Sequence, residues 1–444
     1  MYDPLVTNHP PSDSHYPDSF WVDPEHQNLF TPCEGDYETD VAIVGGGYTG
    51  LSAALHISQA SKLRCTVLEA NQPGWGCSGR NGGFVLPGTG RLGVDKMANL
   101  WGKHISQAVY AEYLASIKTV EQLIASGIDC DKTQGGYLKL AHKPSLVSAL
   151  HQQAKVLSSD YGDSITALNA NQIEQDYLSG AESFGGIYYP NAFGVNPWKL
   201  CQGLADKATQ VGADIFGNTA VLNTSFDGSK HILKTTHGEI TSKHLIIATN
   251  AYGPRKLFNI LQDRIFPVIS SIIVTEPLSK QQLDEIGIKP GLMVMDTRAL
   301  KYYYRVLPDN RLLFGGRGAI KGKDADSPTY KDALIQGLKQ TFPLLGTIEP
   351  AYFWSGWVAV SLDDYPRIYH ERKSATLYAS GYCGAGLAFS IQAGKRLSQL
   401  LLSPDTLPEL PYFKTPLKQF PLANLRRPAL QLFYQWQALK QMFR

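Results

Sequence analysis

The stretch Val41-Ala-Ile-Val-Gly-Gly-Gly-Tyr-Thr-Gly50 decides the fold. Its apolar run predicts a buried β-strand, Gly45-x-Gly47-x-x-Gly50 a tight turn, and residues 51–57 the helix after it. A second strand, Cys65-Thr-Val-Leu68, ends in an acid, Glu69. Strand, turn, helix, strand and acid succeed one another within about thirty residues, the βαβ dinucleotide fingerprint. Gly45 allows the sharp turn, Gly47 lets backbone approach a pyrophosphate, and Gly50 lets helix pack on strand. Tyr48 and Thr49 open the helix, whose free N–H groups and positive dipole end favour phosphate. Glu69, with Ala70 next to it, is placed to accept hydrogen bonds from an unphosphorylated adenosine ribose.

The residues after the fingerprint extend the site. Ala70-Asn-Gln-Pro-Gly-Trp-Gly-Cys-Ser-Gly-Arg-Asn-Gly-Gly83 is a glycine-rich loop in which Gly76, Ser78, Arg80, Asn81, Gly82 and Gly83 reach beyond the adenosine end, toward the pyrophosphate and ring of a flavin. A second such loop, Ala379-Ser-Gly-Tyr-Cys-Gly-Ala-Gly-Leu-Ala-Phe-Ser390, comes after an apolar strand and leads into a helix over residues 391–402. Gly381, Gly384, Ala385, Gly386 and Leu387 would set a helix start against the electron-rich edge of a reduced flavin.

These motifs, with Ala248-Thr-Asn-Ala-Tyr252, Pro267-Val-Ile-Ser-Ser-Ile-Ile-Val-Thr-Glu-Pro277, Tyr303-Tyr-Arg305 and Leu312-Leu-Phe-Gly-Gly316, resemble the D-amino-acid oxidase/glycine oxidase superfamily of FAD enzymes, nearest in look to its gamma-glutamylputrescine oxidoreductase branch. The resemblance runs from about residue 16 to the C-terminus. It implies an α/β chain: a Rossmann-like FAD-binding domain interleaved with an α+β substrate domain built on a mostly antiparallel sheet. Val221 matches the family's adenine-contacting valine, and Thr249 and Asn250 fall in the family's FAD contacts. Relatives that tether the flavin do so through a Cys shortly before the last strand; residues 353–369 hold none, so the resemblance implies non-covalent FAD. Relatives often place a histidine between the last two glycines of the C-terminal loop, where this chain has Ala385.

Composition agrees with a large globular enzyme. The chain has 444 residues, 43% hydrophobic and 11% aromatic, enough for two domains with sizeable cores. A net charge of +2 argues against nucleic acid as a partner. The six cysteines form no CxxC pair and read as free thiols in a reducing, cytoplasmic setting. The histidines show no HxxxH or HExxH spacing, so no metal is expected. No signal peptide and no apolar run long enough for a transmembrane helix is visible.

The expected organisation is a 1–37 arm, anchored by Ser19-Phe-Trp21 and Leu29-Phe30, then two interleaved domains. Segments 38–100, 145–185, 198–262 and 350–420 are assigned to the FAD domain, and 101–144, 186–197 and 263–349 to the substrate domain. Phe353-Trp-Ser-Gly-Trp357 resembles a turn by which the chain re-enters the FAD domain. Residues 421–444 form a basic amphipathic helix, expected to pack on its own domain and not on a membrane.

The chemistry implied by the resemblance is oxidation of a C–N bond by hydride transfer to flavin N5, the imine then hydrolysing, with oxygen or another acceptor taking the electrons. No single base is required if the neutral amine reacts. Tyr303, Arg305 and Trp357 are the expected substrate contacts, with Arg305, or else Arg317, on a carboxylate. The alternative is a flavoprotein whose FAD is structural or regulatory, in a complex or a maturation step; the replacement of the family histidine by Ala385 points that way.

Overall fold

The structure is a computed structural model describing residues 1–26, 29–346 and 348–442. The fingerprint's apolar run lies in the strand Tyr37–Val44, inside an eight-stranded sheet. Cys65–Leu68 and Glu239–Ile247 flank it in parallel, and Asp214–Phe216 and Thr376–Ser380 continue the parallel order outward. The run is apolar at successive positions because both faces are covered. Val41 and Ile43 pack toward the helices Tyr48–Ala60, Pro197–Gln210 and Leu387–Leu402, while Ala42 and Val44 meet Phe258 and Leu417 on the other side. Glu239–Ile247 pairs two ways. Its first half closes an antiparallel meander with His231–Thr235, and its second half joins Thr376–Ser380.

Local sequence explains the helix positions. Pro197 opens its helix as expected, and Asn196 caps it by accepting from the N–H groups of Trp198 and Lys199, both at 3.1 Å. The long helix Lys103–Ala125 buries Val109, Tyr113, Ile117 and Val120, spaced near the helical period, and leaves Leu114 partly buried. It is tied to Leu387–Leu402 by a buried polar cluster. Glu112 accepts from Arg396 Nε at 2.7 Å and Nη2 at 2.6 Å, and from Gln392 Nε2 at 2.8 Å.

The second sheet has eight strands in the order Pro350–Val360, Phe266–Thr275, Leu312–Arg317, Tyr303–Val306, Met293–Asp296, Tyr137–Leu140, Gly185–Tyr189 and Thr166–Asn169. Every neighbouring pair is antiparallel except Met293–Asp296 with Tyr137–Leu140. The mixed α/β architecture is therefore the expected one. Several details differ. Phe353-Trp-Ser-Gly-Trp357 is no turn but the middle of an eleven-residue edge strand, paired along Phe266–Thr275. Its single glycine marks a close approach, with Gly356 facing Tyr252 and Arg80, and not a reversal. Residues 166–169 and 350–360 thus lie in the second sheet. Residues 103–125, placed by expectation with the substrate domain, pack on the helix layer of the parallel sheet.

The N-terminal arm is held down. Trp21 is buried beside Trp354 and Trp198, and its Nε1 donates to the Asn81 carbonyl at 2.9 Å. Leu29 is exposed and anchors nothing, whereas Phe30 packs on the core. The C-terminal helix Arg426–Met442 turns Arg426, Leu430 and Tyr434 inward and leaves Leu432 and Trp436 in solvent. Among the described residues no helix is long and apolar enough to cross a membrane.

Replacing Glu112 by Ala strands the Arg396 guanidinium and the Gln392 amide in a mostly buried cluster. Loss of one partner of such a pair costs on the order of 3 kcal/mol. Thermal unfolding should begin several degrees lower in Glu112→Ala, with Glu112→Gln falling between it and the parent.

Candidate active site

A cavity of about 610 Å³ lies between the carboxyl ends of the parallel strands and one face of the second sheet, where open α/β sheets bind ligands. At one end it is lined by Gly45, Gly47, Glu69, Ala70 and Val221, and in the middle by Tyr48, Thr49, Gly76, Ser78, Arg80, Asn81, Gly82, Thr249 and Asn250. Tyr303, Val358, Gly384, Ala385, Gly386 and Leu387 come next, with Arg91, Lys301 and Arg317 beyond them.

The fingerprint turn is built by sterics. Gly45 sits at φ +113°, and a Cβ there would lie 2.9 Å from the Ala248 carbonyl oxygen. Gly50 is off the cavity wall; its bare Cα faces the Gly45 carbonyl, which a Cβ would overlap. The Ser78 hydroxyl accepts the Tyr48 N–H at 3.0 Å, leaving other N–H groups of the first helical turn without helical partners. Glu69 Oε2 accepts from Gly46 N–H at 2.6 Å and Oε1 from Asn71 N–H at 3.1 Å. Burial pushes its carboxyl upward, and these backbone bonds oppose the shift.

Some expected side chains serve the loop itself. Arg80 stacks on Trp75 and donates through Nε to the Trp75 carbonyl at 2.7 Å. Asn81 accepts from Gly83 N–H at 2.8 Å. Asn250 accepts from Ser380 Oγ at 2.9 Å and Gly381 N–H at 3.2 Å, tying the segment after Glu239–Ile247 to the C-terminal glycine-rich loop. Gly83 and Gly381 shape these turns from outside the wall, both at positive φ.

Two expected substrate contacts fall elsewhere. Trp357 is fully buried and absent from the cavity wall, packed among Ile269, Ala319 and Ala359, with Nε1 donating to the Tyr2 carbonyl at 2.8 Å. Strand alternation explains this, since Gly356 and Val358 face the cavity and Trp357 cannot. Arg305 shares the face of Tyr303 but lies two residues along, under Gly83 and Gly194. It is buried, donates to the Val195 carbonyl at 2.7 Å and sits over the rings of Trp21 and Phe84. Burial pulls it down to about 9. Arg305 is absent from the cavity wall and braces the Val195 carbonyl instead.

Tyr303 does reach the cavity. Its hydroxyl shares a 3.1 Å hydrogen bond with Ser270 Oγ, and burial pushes it up to about 12. Beyond it stands a group of cations that the sequence reading largely missed. Arg317 was the second candidate; Arg91, Lys301 and Arg298 were not singled out. Arg298 is paired with Asp296. Among the described residues no carboxylate forms an ion pair with Arg91, Lys301 or Arg317. Burial, with Arg317 and Arg91 nearby, lowers the Lys301 ammonium, and Asp296 opposes this. The available signals were weak: Arg91 stands just after another glycine-rich loop, and Lys301 directly precedes the tyrosine strand.

The family model of the DAO group, FAD-dependent oxidoreductases, matches residues 40–400. The chain belongs to this family. It is 30% identical over 396 residues to a probable oxidoreductase, OrdL, of Haemophilus influenzae, covering 87% of this chain and 88% of that one. It is 30% identical over 383 residues to the gamma-glutamylputrescine oxidoreductase of Escherichia coli, covering 85% and 88%. The solved glycine oxidase of Geobacillus kaustophilus shares the fold, with a TM-score of 0.69 at 20% identity over 85% of this chain and 99% of that one. The protein is thus an FAD-dependent oxidoreductase. The residues present fit FAD. The cavity is long, its glycine turn has no side chain to obstruct a pyrophosphate, and the buried Thr249 Oγ1 on its wall has no hydrogen-bond partner among the described residues.

If Glu69 holds the adenosine ribose, Glu69→Ala removes charge-assisted hydrogen bonds worth about 1.5–3 kcal/mol. FAD titration of the apoprotein should then show roughly ten- to a hundred-fold weaker binding. An unchanged dissociation constant would give Glu69 a role in the turn alone.

Proposed function

We propose that this enzyme oxidises the C–N bond of an amine that carries an acidic group, a substrate of the gamma-glutamylputrescine kind. One observation carries the reading: Arg91, Lys301 and Arg317 line the cavity toward its Tyr303 end with no carboxylate ion pair among the described residues. Uncompensated cations beside a buried surface are costly unless an anion arrives. A substrate carboxylate is such an anion, and the Arg317 fork suits it bidentately. Bound FAD supplies the two-electron acceptor. The chain's residues bind, orient and exclude water: Tyr303 and Val358 wall the reacting region, and the cations fix the acidic end. Gly45 to Thr49, Ser78, Thr249 and the loop of Gly384, Ala385, Gly386 and Leu387 hold the cofactor in this reading, with Glu69 and Val221 at its adenosine end. No acid–base side chain is needed where the neutral amine reacts. The six cysteines are free, in keeping with a cytoplasmic setting.

FAD should be released by acid precipitation, leaving a colourless pellet. Cys77 and Cys383 line the cavity. Burial pushes Cys77 up to about 11 and raises Cys383, so both remain thiols and not thiolate nucleophiles. Colour retained in the pellet would refute non-covalent binding.

Anaerobic reduction by gamma-glutamylputrescine, measured by stopped flow across pH, tests the function. The neutral amine is the reacting form, so the rate at saturation should rise with pH. The Lys301 ammonium is present below its lowered pKa and lost as pH rises through it, so affinity should fall on the alkaline side. Arg317→Met should raise the dissociation constant far more than it slows saturated reduction. A flavin bleached by no acidic amine would overturn the proposal and favour a structural or regulatory FAD.

A further inference from the structure

Residues 1–16 lie outside the 40–400 span of the family match, yet Tyr2, Pro10 and Pro11 belong to the cavity wall. This segment is tied down at two places. At the first, the Tyr2 carbonyl accepts from Trp357 Nε1 at 2.8 Å, and the Tyr2 hydroxyl donates to the Tyr252 carbonyl at 3.2 Å. The buried Asp3 accepts from Gly322 N–H at 2.9 Å and from Arg427 at the root of the C-terminal helix. The Pro4 carbonyl accepts from Arg255 N–H at 3.0 Å. At the second place, Asp13 accepts from Asn218 Nδ2 at 3.1 Å and Ser14 N–H donates to Asn71 Oδ1 at 2.9 Å. The His15 carbonyl accepts from Trp75 Nε1 and the Tyr16 hydroxyl donates to the Pro73 carbonyl, both at 2.8 Å.

These anchorages bracket one end of the cavity. The first adjoins Pro254 and Leu257, the second adjoins Asn71 and Glu69, and all four line the cavity together with Val221. Leu257 packs on the cluster that holds Val221. The chain between the anchorages meets the cavity at Pro10 and Pro11, which are only half-buried, while Asn8, His9 and Ser12 are exposed. Among the described residues no hydrogen bond holds residues 8–12, so the middle of the segment is positioned by its two ends. Two successive prolines suit that place. Their φ angles are fixed, and neither has an N–H to leave unsatisfied against a ligand. They present a stiff apolar ledge to the same end as Glu69 and Val221.

We propose that residues 6–13 form a strap across the adenosine end of the cavity, and that Pro10 and Pro11 are cofactor contacts whose rings pack on the adenine of FAD. This rests on the adenosine lying at the Glu69 end. A flat purine has apolar faces that gain from such contact once water is excluded. The proposal also gives Trp357 a part: it holds the strap through the Tyr2 carbonyl.

The test uses the full-length protein stripped of FAD, with ADP, which carries the adenosine and pyrophosphate without the flavin, as the probe. In calorimetry, the double variant Pro10→Gly, Pro11→Gly should bind ADP roughly ten-fold more weakly than the parent, and FAD should weaken by a similar factor. In the parent, ADP should slow thermolysin cleavage before the exposed Val6, and the double variant should lose this protection. The protection is read without any substitution, so a variant that folds poorly leaves the test intact. If Glu69→Ala weakens ADP and the proline variant binds it as the parent does, the strap proposal fails while the adenosine placement stands. Cleavage in the parent at the same rate with and without bound ADP also overturns it. A parent that binds no ADP removes the adenosine placement and the strap's part in it together.

Discussion

The close approach of the helix Tyr48–Ala60 to the strand Tyr37–Val44, at Gly45 and Gly50, is the constraint on which the site depends. With a Cβ at Gly50 the helix would stand away from the Gly45 carbonyl, and its N-terminus would no longer point along the cavity. The same helix is locked to Leu387–Leu402 by Ser52 Oγ, which donates to the Ile391 carbonyl at 2.7 Å. It is also locked to the loop before that helix by Thr49 and Tyr382, whose hydroxyls share a 2.8 Å hydrogen bond. One tight contact thereby sets two helix starts against one cavity. That placement is what a long anionic cofactor needs, because exposed N–H groups and dipole ends act at short range.

The second sheet answers with the opposite kind of surface. Its cavity face is apolar or aromatic near Tyr303, Ile272 and Val358 and cationic at Arg317, with Lys301 and Arg91 beside it. Its other face is ordinary core, where Tyr304 stacks on Phe314 and meets Phe342 edge-on. The tyrosine strand therefore has two separate tasks on its two faces, and the period of two assigns them without ambiguity once the face is known. The cations set the electrostatic character of the Tyr303 end of the cavity, while Arg305, on the tyrosine strand, is a buried brace for Val195. Arg305 and Arg317, on adjacent strands, thus differ entirely in role, and only their surroundings distinguish them.

Much of the site was legible in the sequence because its parts are local. The turn Gly45–Gly50, the acid at Glu69 and the loops around Ser78 and Gly384 owe their chemistry to backbone conformation, which a short run of glycines encodes directly. The apolar strands likewise revealed by composition that they are covered on both faces. The alternation of Tyr302 to Val306 was equally readable, including the pairing of Tyr303 with Arg305 on one face.

The sequence by itself determined the FAD-type fold and the cofactor end of the cavity. The tertiary structure decided the cationic end. Arg91, Lys301 and Arg317 come from three separate segments, and no spacing in the chain relates them. Their meeting depends on how the second sheet packs against the loop that carries Arg91. The same packing buried Arg305 and turned Trp357 away, because a side chain's access to a cavity is set by which strands and helices cover it. A local motif fixes what its own backbone can do, and charge brought together from distant segments exists only after the chain has folded.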